Sequence, residues 1–173
     1  MVLNVIKKRR SYRLYTSKQV SNKFIKDLLR AAMFAPSAKN QRPCEFIILK
    51  KPKIFVSLTK WTKSLETAPL AIAIVADKNK SGHWVEDCSV AAENLMLQAT
   101  ALGLGTCWVQ VHGSSTKTAE PKLKKMLRLP KRYGILCLMA IGYPAIKKPA
   151  HKNSEFKLSK VYNDFYKKGA KKC

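Results

Sequence analysis

Two uninterrupted apolar stretches, Leu70–Ala76 and Ile135–Gly142, most narrow what this chain can become. Each fits a β-strand covered on both faces, because a strand with one wet face alternates polar and apolar residues. Around them, helical and strand patterns alternate. Ser21–Phe34 carries Phe24, Ile25, Leu28, Leu29, Ala32 and Met33 at helical spacing, with Ser21 placed to cap the start and Pro36 to stop the helix. Glu45–Leu49 is rich in aromatic and β-branched residues and predicts a strand. A long helix is predicted from Val85 to Leu102, with Glu86 and Asp87 complementing its dipole and Gly103 as its stop. Its Ala and Leu content marks it as central and buried. Thr106–Val111 predicts a short strand, Pro121–Leu127 a basic helical turn or two, and Ser154–Tyr166 a further helix. The alternation, without repeats or Gly/Ser linkers, suggests one layered domain of sheet and helices over residues 1–173, a length that allows a core of ordinary size.

Composition removes several function classes. Apolar residues make up 46% and charged residues 25%, which excludes a mainly disordered chain, a coiled coil and a collagen-like repeat. No apolar run approaches the roughly 20 residues that span a bilayer. In Met1–Arg10 the charges follow a short apolar stretch, the reverse of a secretory signal, so the expected location is cytoplasmic. Five cysteines, an odd number with no C-x-x-C pair, and three scattered histidines offer no metal-ligand spacing. Cys107 and Cys137, inside apolar runs, read as buried thiols.

The charge is unusual: 34 Lys or Arg against 10 Asp or Glu, a net +24. Lysines dominate and fall in clusters at 50–53, 122–132, 147–152 and 167–172. A basic surface attracts anionic partners. No segment interleaves aromatics with Arg as a nucleic-acid stacking platform would, which counts against a nucleic-acid-binding module.

Three motifs could carry chemistry, and each has a plainer reading. Arg9-Arg10-Ser11-Tyr12-Arg13, if extended, puts Arg9, Ser11 and Arg13 on one side, two guanidiniums and a hydroxyl for an anion; otherwise it is a solvated basic stretch. Ala35–Pro43 presents Ser, Asn and Gln groups that suit the edge of a planar heterocycle, or simply satisfy one another in a turn. Gly103-Leu104-Gly105-Thr106-Cys107-Trp108 could bring backbone close to a ligand, or be a helix stop and tight turn; it is no dinucleotide fingerprint, since it follows a helix. Ile141-Gly142-Tyr143-Pro144 likewise closes a strand.

Taken together and in this order, these motifs, with the pair Glu45-Phe46, resemble the FMN-dependent nitroreductase family from about Val5 to Pro144. The resemblance implies an α+β nitroreductase-like layered fold, a central mainly antiparallel sheet flanked by helices, in a homodimer whose FMN sites draw on both chains. The segment from about 150 to 173 would pack on the partner subunit. Arg9, with Arg10, and Ser11 would bind the FMN phosphate and ribityl chain, and Arg13 would lie near the flavin pyrimidine edge. Pro36, Ser37, Ala38 and Asn40 would meet the isoalloxazine. Trp108, Val109 and Gln110 match the stretch whose backbone reaches flavin N5, with Gln110 the chosen contact. Lys147 and Lys148, or Lys152, fall where a basic residue meets the phosphate. Two positions depart from the family pattern: Cys44 replaces a bulky aromatic, and Val111 stands where glycine is common.

The implied activity is transfer of a hydride from NADH or NADPH through flavin N5 to a nitroaromatic or quinone in a ping-pong cycle. No side-chain nucleophile and no metal is required. Reductive dehalogenation or flavin fragmentation, reactions of relatives, is the alternative.

Overall fold

The two apolar runs pair with each other. In the computed structural model, which describes residues 2–58 and 63–166, β2 (Leu70–Asp77) and β4 (Tyr133–Gly142) lie side by side at the centre of a four-stranded sheet. β1 (Cys44–Leu49) flanks β2 and β3 (Gly105–Gln110) flanks β4, every pair antiparallel. Continuous apolar strands are the usual mark of parallel sheets. Here an antiparallel sheet shows the same pattern because layers cover both of its faces, and every residue of β2 and β4 is buried.

The strand period of two sorts the core into halves. Ile72, Ile74, Met139 and Ile141 face α2 (Asn22–Met33) and α4 (Trp84–Ala101), meeting Leu28, Ala92 and Leu95. Ala71, Ala73, Val75, Leu138 and Ala140 turn to the other side, against Tyr15, Phe55, Leu65 and Leu123. Those partners come from the strap after α1, the 3-10 stretch Pro52–Leu58, α3 (Lys63–Thr67) and α5 (Ala119–Met126). One bulge interrupts the alternation. Ile74 pairs with Cys137 and Val75 with Ile135, so Leu136 is the extra residue and joins Cys137 on the α4 side.

Helix α2 begins as expected, with the Ser21 hydroxyl accepting from the Phe24 amide at 3.2 Å. Two features differ from the sequence expectations. Val2–Lys8 forms a helix, α1, whose last bond runs from the Arg9 amide to Val5 O at 3.0 Å. Arg9 therefore ends a helix instead of beginning an extended run. The expected helix Ser154–Tyr166 is absent: the chain makes only 3-10 turns at Asn153–Glu155 and Leu158–Lys160. Glu155 is used locally, accepting from the Lys152 amide and pairing with His151, and Phe156, Phe165 and Tyr166 are exposed. Without a surface to bury an apolar face, a helix of this length is marginal in water. Lys167–Cys173, the rest of the expected C-terminal packing segment, lies outside the described residues. Among the described residues no helix is long and apolar enough to cross a membrane.

Leu138, fully buried at the sheet centre, gives a direct check on this core. Leu138→Ala is expected to lower stability by about 2–5 kcal/mol, read from urea unfolding.

Candidate functional site

Backbone pairing brings three of the sequence motifs together. After α1 the chain lies along the start of β3: Ser11 forms a parallel bridge with Thr106, and the Tyr12 amide donates to Thr106 O at 2.9 Å. Further on, Tyr15 bridges to Pro144, the Thr16 amide donates to Tyr143 O at 2.9 Å, and the Ala145 amide donates to Leu14 O at 3.1 Å. The Tyr15 hydroxyl donates to Tyr12 O at 2.7 Å; burial pushes its pKa well above the usual phenol value, so it remains a donor. This strap approaches so closely that a Cβ on Gly105 would stand 2.7 Å from the Tyr12 ring and 2.8 Å from Pro144. The glycine of that motif is thus required by packing. Gly103, at φ +74°, makes the turn out of α4.

Positive charge gathers beside the strap. A cleft of about 600 Å³ is lined by Lys8, Tyr12, Gly103, Leu104, Lys147 and Lys148, among others. The Lys148 ammonium donates to Ser11 O at 2.7 Å and sits 5.5 Å from the Tyr12 ring centroid. The Arg10 guanidinium donates to Pro149 O at 2.7 Å, and Arg9 Nε lies 4.0 Å from a Glu93 carboxylate oxygen. Ser11 and Arg13 are exposed, as is Lys152, which does not line this cleft.

The edge of β3 is set by the same bond. Antiparallel residues alternate the direction of their backbone groups, so with Thr106 bonded to the strap, Trp108 and Gln110 also turn theirs outward. Val109 turns its groups toward β4 and buries its side chain completely. The Trp108 indole donates to Gln110 Oε1 at 2.6 Å, and the Gln110 amide nitrogen donates to His112 O. Val111 is buried, with its amide donating to Leu136 O at 3.3 Å.

The polar loop occupies the other end of α4. Lys39, Asn40 and Arg42 all have positive φ (51°, 55° and 45°), a conformation costly for residues with a Cβ. A bonding net offsets that cost. The Arg42 amide donates to Ser37 Oγ at 2.9 Å and its Nε to Asn40 Oδ1 at 2.8 Å. The Ala38 amide donates to Asp87 Oδ1 at 2.8 Å, while the Ser81 hydroxyl donates to Asp87 Oδ2 at 2.8 Å. A cavity of about 210 Å³ lies here, its walls including Met33, Pro36, Ser37, Arg42, Cys44 and Asp87.

Sequence reasoning took Asp87 only as a complement to the helix dipole. Its second role, as buried anchor of the loop, depends on a contact 49 positions away. Glu93 was likewise missed because Arg9 lies 84 positions away, whereas Arg42 was missed although its partners Ser37 and Asn40 belong to its own loop. The basic cleft and the loop cavity do not meet within one chain, although Arg9 reaches nearer the loop at Glu93, six residues or about 9 Å along α4 from Asp87. Asp87 touches the loop and Thr100 lines the basic cleft; 13 helical residues separate them by about 20 Å.

Asp87→Ala would leave the Ala38 amide and the Ser81 hydroxyl without their acceptor. A loss of about 1–3 kcal/mol is expected in urea unfolding, with faster hydrogen exchange at the Ala38 amide.

Known proteins share this sequence pattern and fold. A sequence model of the Nitroreductase family matches residues 6–64 and 55–143. A protein of Archaeoglobus fulgidus, provisionally named NADH dehydrogenase/NAD(P)H nitroreductase, is 33% identical over 153 residues, covering 84% of this chain and 87% of its own. The structure of an FMN-dependent nitroreductase from Clostridium difficile superposes with a TM-score of 0.89 at 36% identity, covering 95% of this chain and 99% of that one. Human iodotyrosine deiodinase 1 is 25% identical over 177 residues, covering 82% of this chain and 60% of the deiodinase. By sequence and fold together, the chain belongs to the nitroreductase family.

Proposed function

We propose that the protein is an FMN-dependent oxidoreductase, a homodimer that uses NADH or NADPH to reduce a small planar acceptor such as a nitroaromatic or quinone. The observation that carries this reading is the strap fastened to the start of β3 beside a basic cleft. Its donor set suits FMN. Arg9, Arg10, Ser11, Lys147 and Lys148 offer charge and hydrogen bonds to a phosphate dianion. The outward backbone of Trp108 and Gln110 offers a peptide donor to a flavin edge, and the exposed Arg13 offers positive charge to its pyrimidine side. Val109, buried and bonded to β4, would act as the rigid support between those two residues. When bound, FMN supplies hydride acceptance from the nicotinamide and its redelivery to the acceptor.

The remaining residues favour a site shared by two chains. Pro36, Ser37, Ala38 and Asn40 lie about 20 Å along α4 from the basic cleft, so in this reading the loop of one protomer faces the strap of the other. The exposed Phe156, Phe165 and Tyr166 in the C-terminal segment suit a partner surface as well. The names of the Clostridium and Archaeoglobus relatives support FMN and a reduced nicotinamide.

Purified protein supplied with FMN is expected to be yellow, to bleach anaerobically with NADH or NADPH, and to recolour with a nitroaromatic or quinone. Arg9→Ala is expected to weaken FMN binding about 10- to 100-fold. A protein that stays colourless and leaves FMN fluorescence unchanged would overturn the proposal. The likeness to iodotyrosine deiodinase favours reductive dehalogenation as the second reading; faster turnover of a halogenated tyrosine than of any nitroaromatic would select it.

A further inference from the structure

Cys44 and Cys88 meet across the wall of the loop-side cavity, their Sγ atoms 2.8 Å apart. A disulfide bond is about 2.05 Å long, so a small approach would close one. The first residue of β1 thereby faces the second turn of α4. The two thiols differ in access: Cys44 is half-buried and lines the cavity of about 210 Å³, whereas Cys88 is fully buried. Hydrogen bonding to Cys44 and then burial push the Cys88 pKa well above the ordinary thiol value, which keeps its proton in place. Cys107 is buried in the other half of the core, Cys137 is buried in the same half as Cys88 and lies near enough to push the Cys88 pKa up further, and Cys173 lies outside the described residues.

We propose that Cys44 and Cys88 form an oxidisable dithiol, closed to a disulfide by hydrogen peroxide that enters through this cavity. Cys44, as thiolate, attacks the O–O bond. One oxygen becomes the hydroxyl of a sulfenic acid, and the other leaves as hydroxide and takes up a proton to give water. The Cys88 sulfur then displaces the hydroxyl from Cys44, and its proton departs with that hydroxyl as a second water. The two sulfurs together lose two electrons, and the peroxide gains them. The new bond would tie β1 to the residue after Asp87, whose carboxylate holds the Ala38 amide. The oxidation state of the pair would therefore reach the loop at 36–42. The bond forms or fails whatever cofactor the site holds, so this inference stands apart from the flavin reading.

The test uses the full-length reduced protein, freed of reductant and treated with near-stoichiometric hydrogen peroxide. Free thiols are blocked with N-ethylmaleimide, and the protein is digested without reductant for mass spectrometry. A peptide pair joined through Cys44 and Cys88 is expected, lost after dithiothreitol, retained in Cys173→Ser and absent from Cys44→Ser. In Cys44→Ser, Cys88 is expected to remain unmodified at the same dose. Recovery of both cysteines as alkylated thiols, of Cys44 as a sulfinic or sulfonic acid without the link, or of links made through Cys173 instead would overturn the proposal. So would oxidation of Cys88 in Cys44→Ser at the wild-type rate.

Discussion

Burial of β2 and β4 on both faces dictates where the rest of the chain can go. A strand with apolar residues at every position must be covered above and below, and each edge must find a hydrogen-bonding neighbour. α2 and α4 supply one cover; the strap, α3 and α5 supply the other. β1 and β3 take the edges. The strap is thus part of the core and part of the candidate site at once. Tyr15 packs beneath the sheet while its hydroxyl bonds Tyr12 O, which sets where Arg9–Arg13 lie.

That coupling explains how a strongly basic chain comes to concentrate charge usefully. Most of the positive charge behind its net +24 is lysine, much of it in short clusters along the sequence. Around the strap, however, guanidiniums and ammoniums are held by backbone carbonyls: Arg10 by Pro149, Lys148 by Ser11. Carbonyl partners orient a cation without neutralising it, so the cleft keeps a positive field for an anion. Arg9 is the exception, with Glu93 at 4.0 Å, a long and partly exposed contact of small worth. At the other end of α4, Asp87 spends its carboxylate on the strained loop, anchoring three residues with positive φ.

Much of the architecture was legible because its signals are local. The apolar runs of β2 and β4, the cap at Ser21 and the spacing in α2 each depend on neighbours in sequence. The order of motifs was enough to suggest the family. What escaped depends on distant partners. Glycine at 105 is explained by the Tyr12 ring, and Asp87 by the Ala38 amide. The helix expected at Ser154–Tyr166 failed for the opposite reason: its residues have helical spacing, but among the described residues Phe156, Phe165 and Tyr166 stay exposed. α1 escaped for a similar reason, since its apolar residues Val2, Leu3 and Ile6 remain exposed and its sequence reads as a short stretch before a basic run.

The central claim, that strap and loop from two different protomers enclose one FMN, is tested most directly by complementation. One variant carries Arg9→Ala with Ser11→Ala; the other carries Ser37→Ala with Asn40→Ala. Each alone is expected to bind FMN weakly. After the two are unfolded and refolded together, mixed dimers should regain one tight site, assembled from the intact strap of one chain and the intact loop of the other. FMN titration of the mixture would then show a tight fraction that neither variant has. A mixture that binds no better than the average of its two components would contradict a shared site.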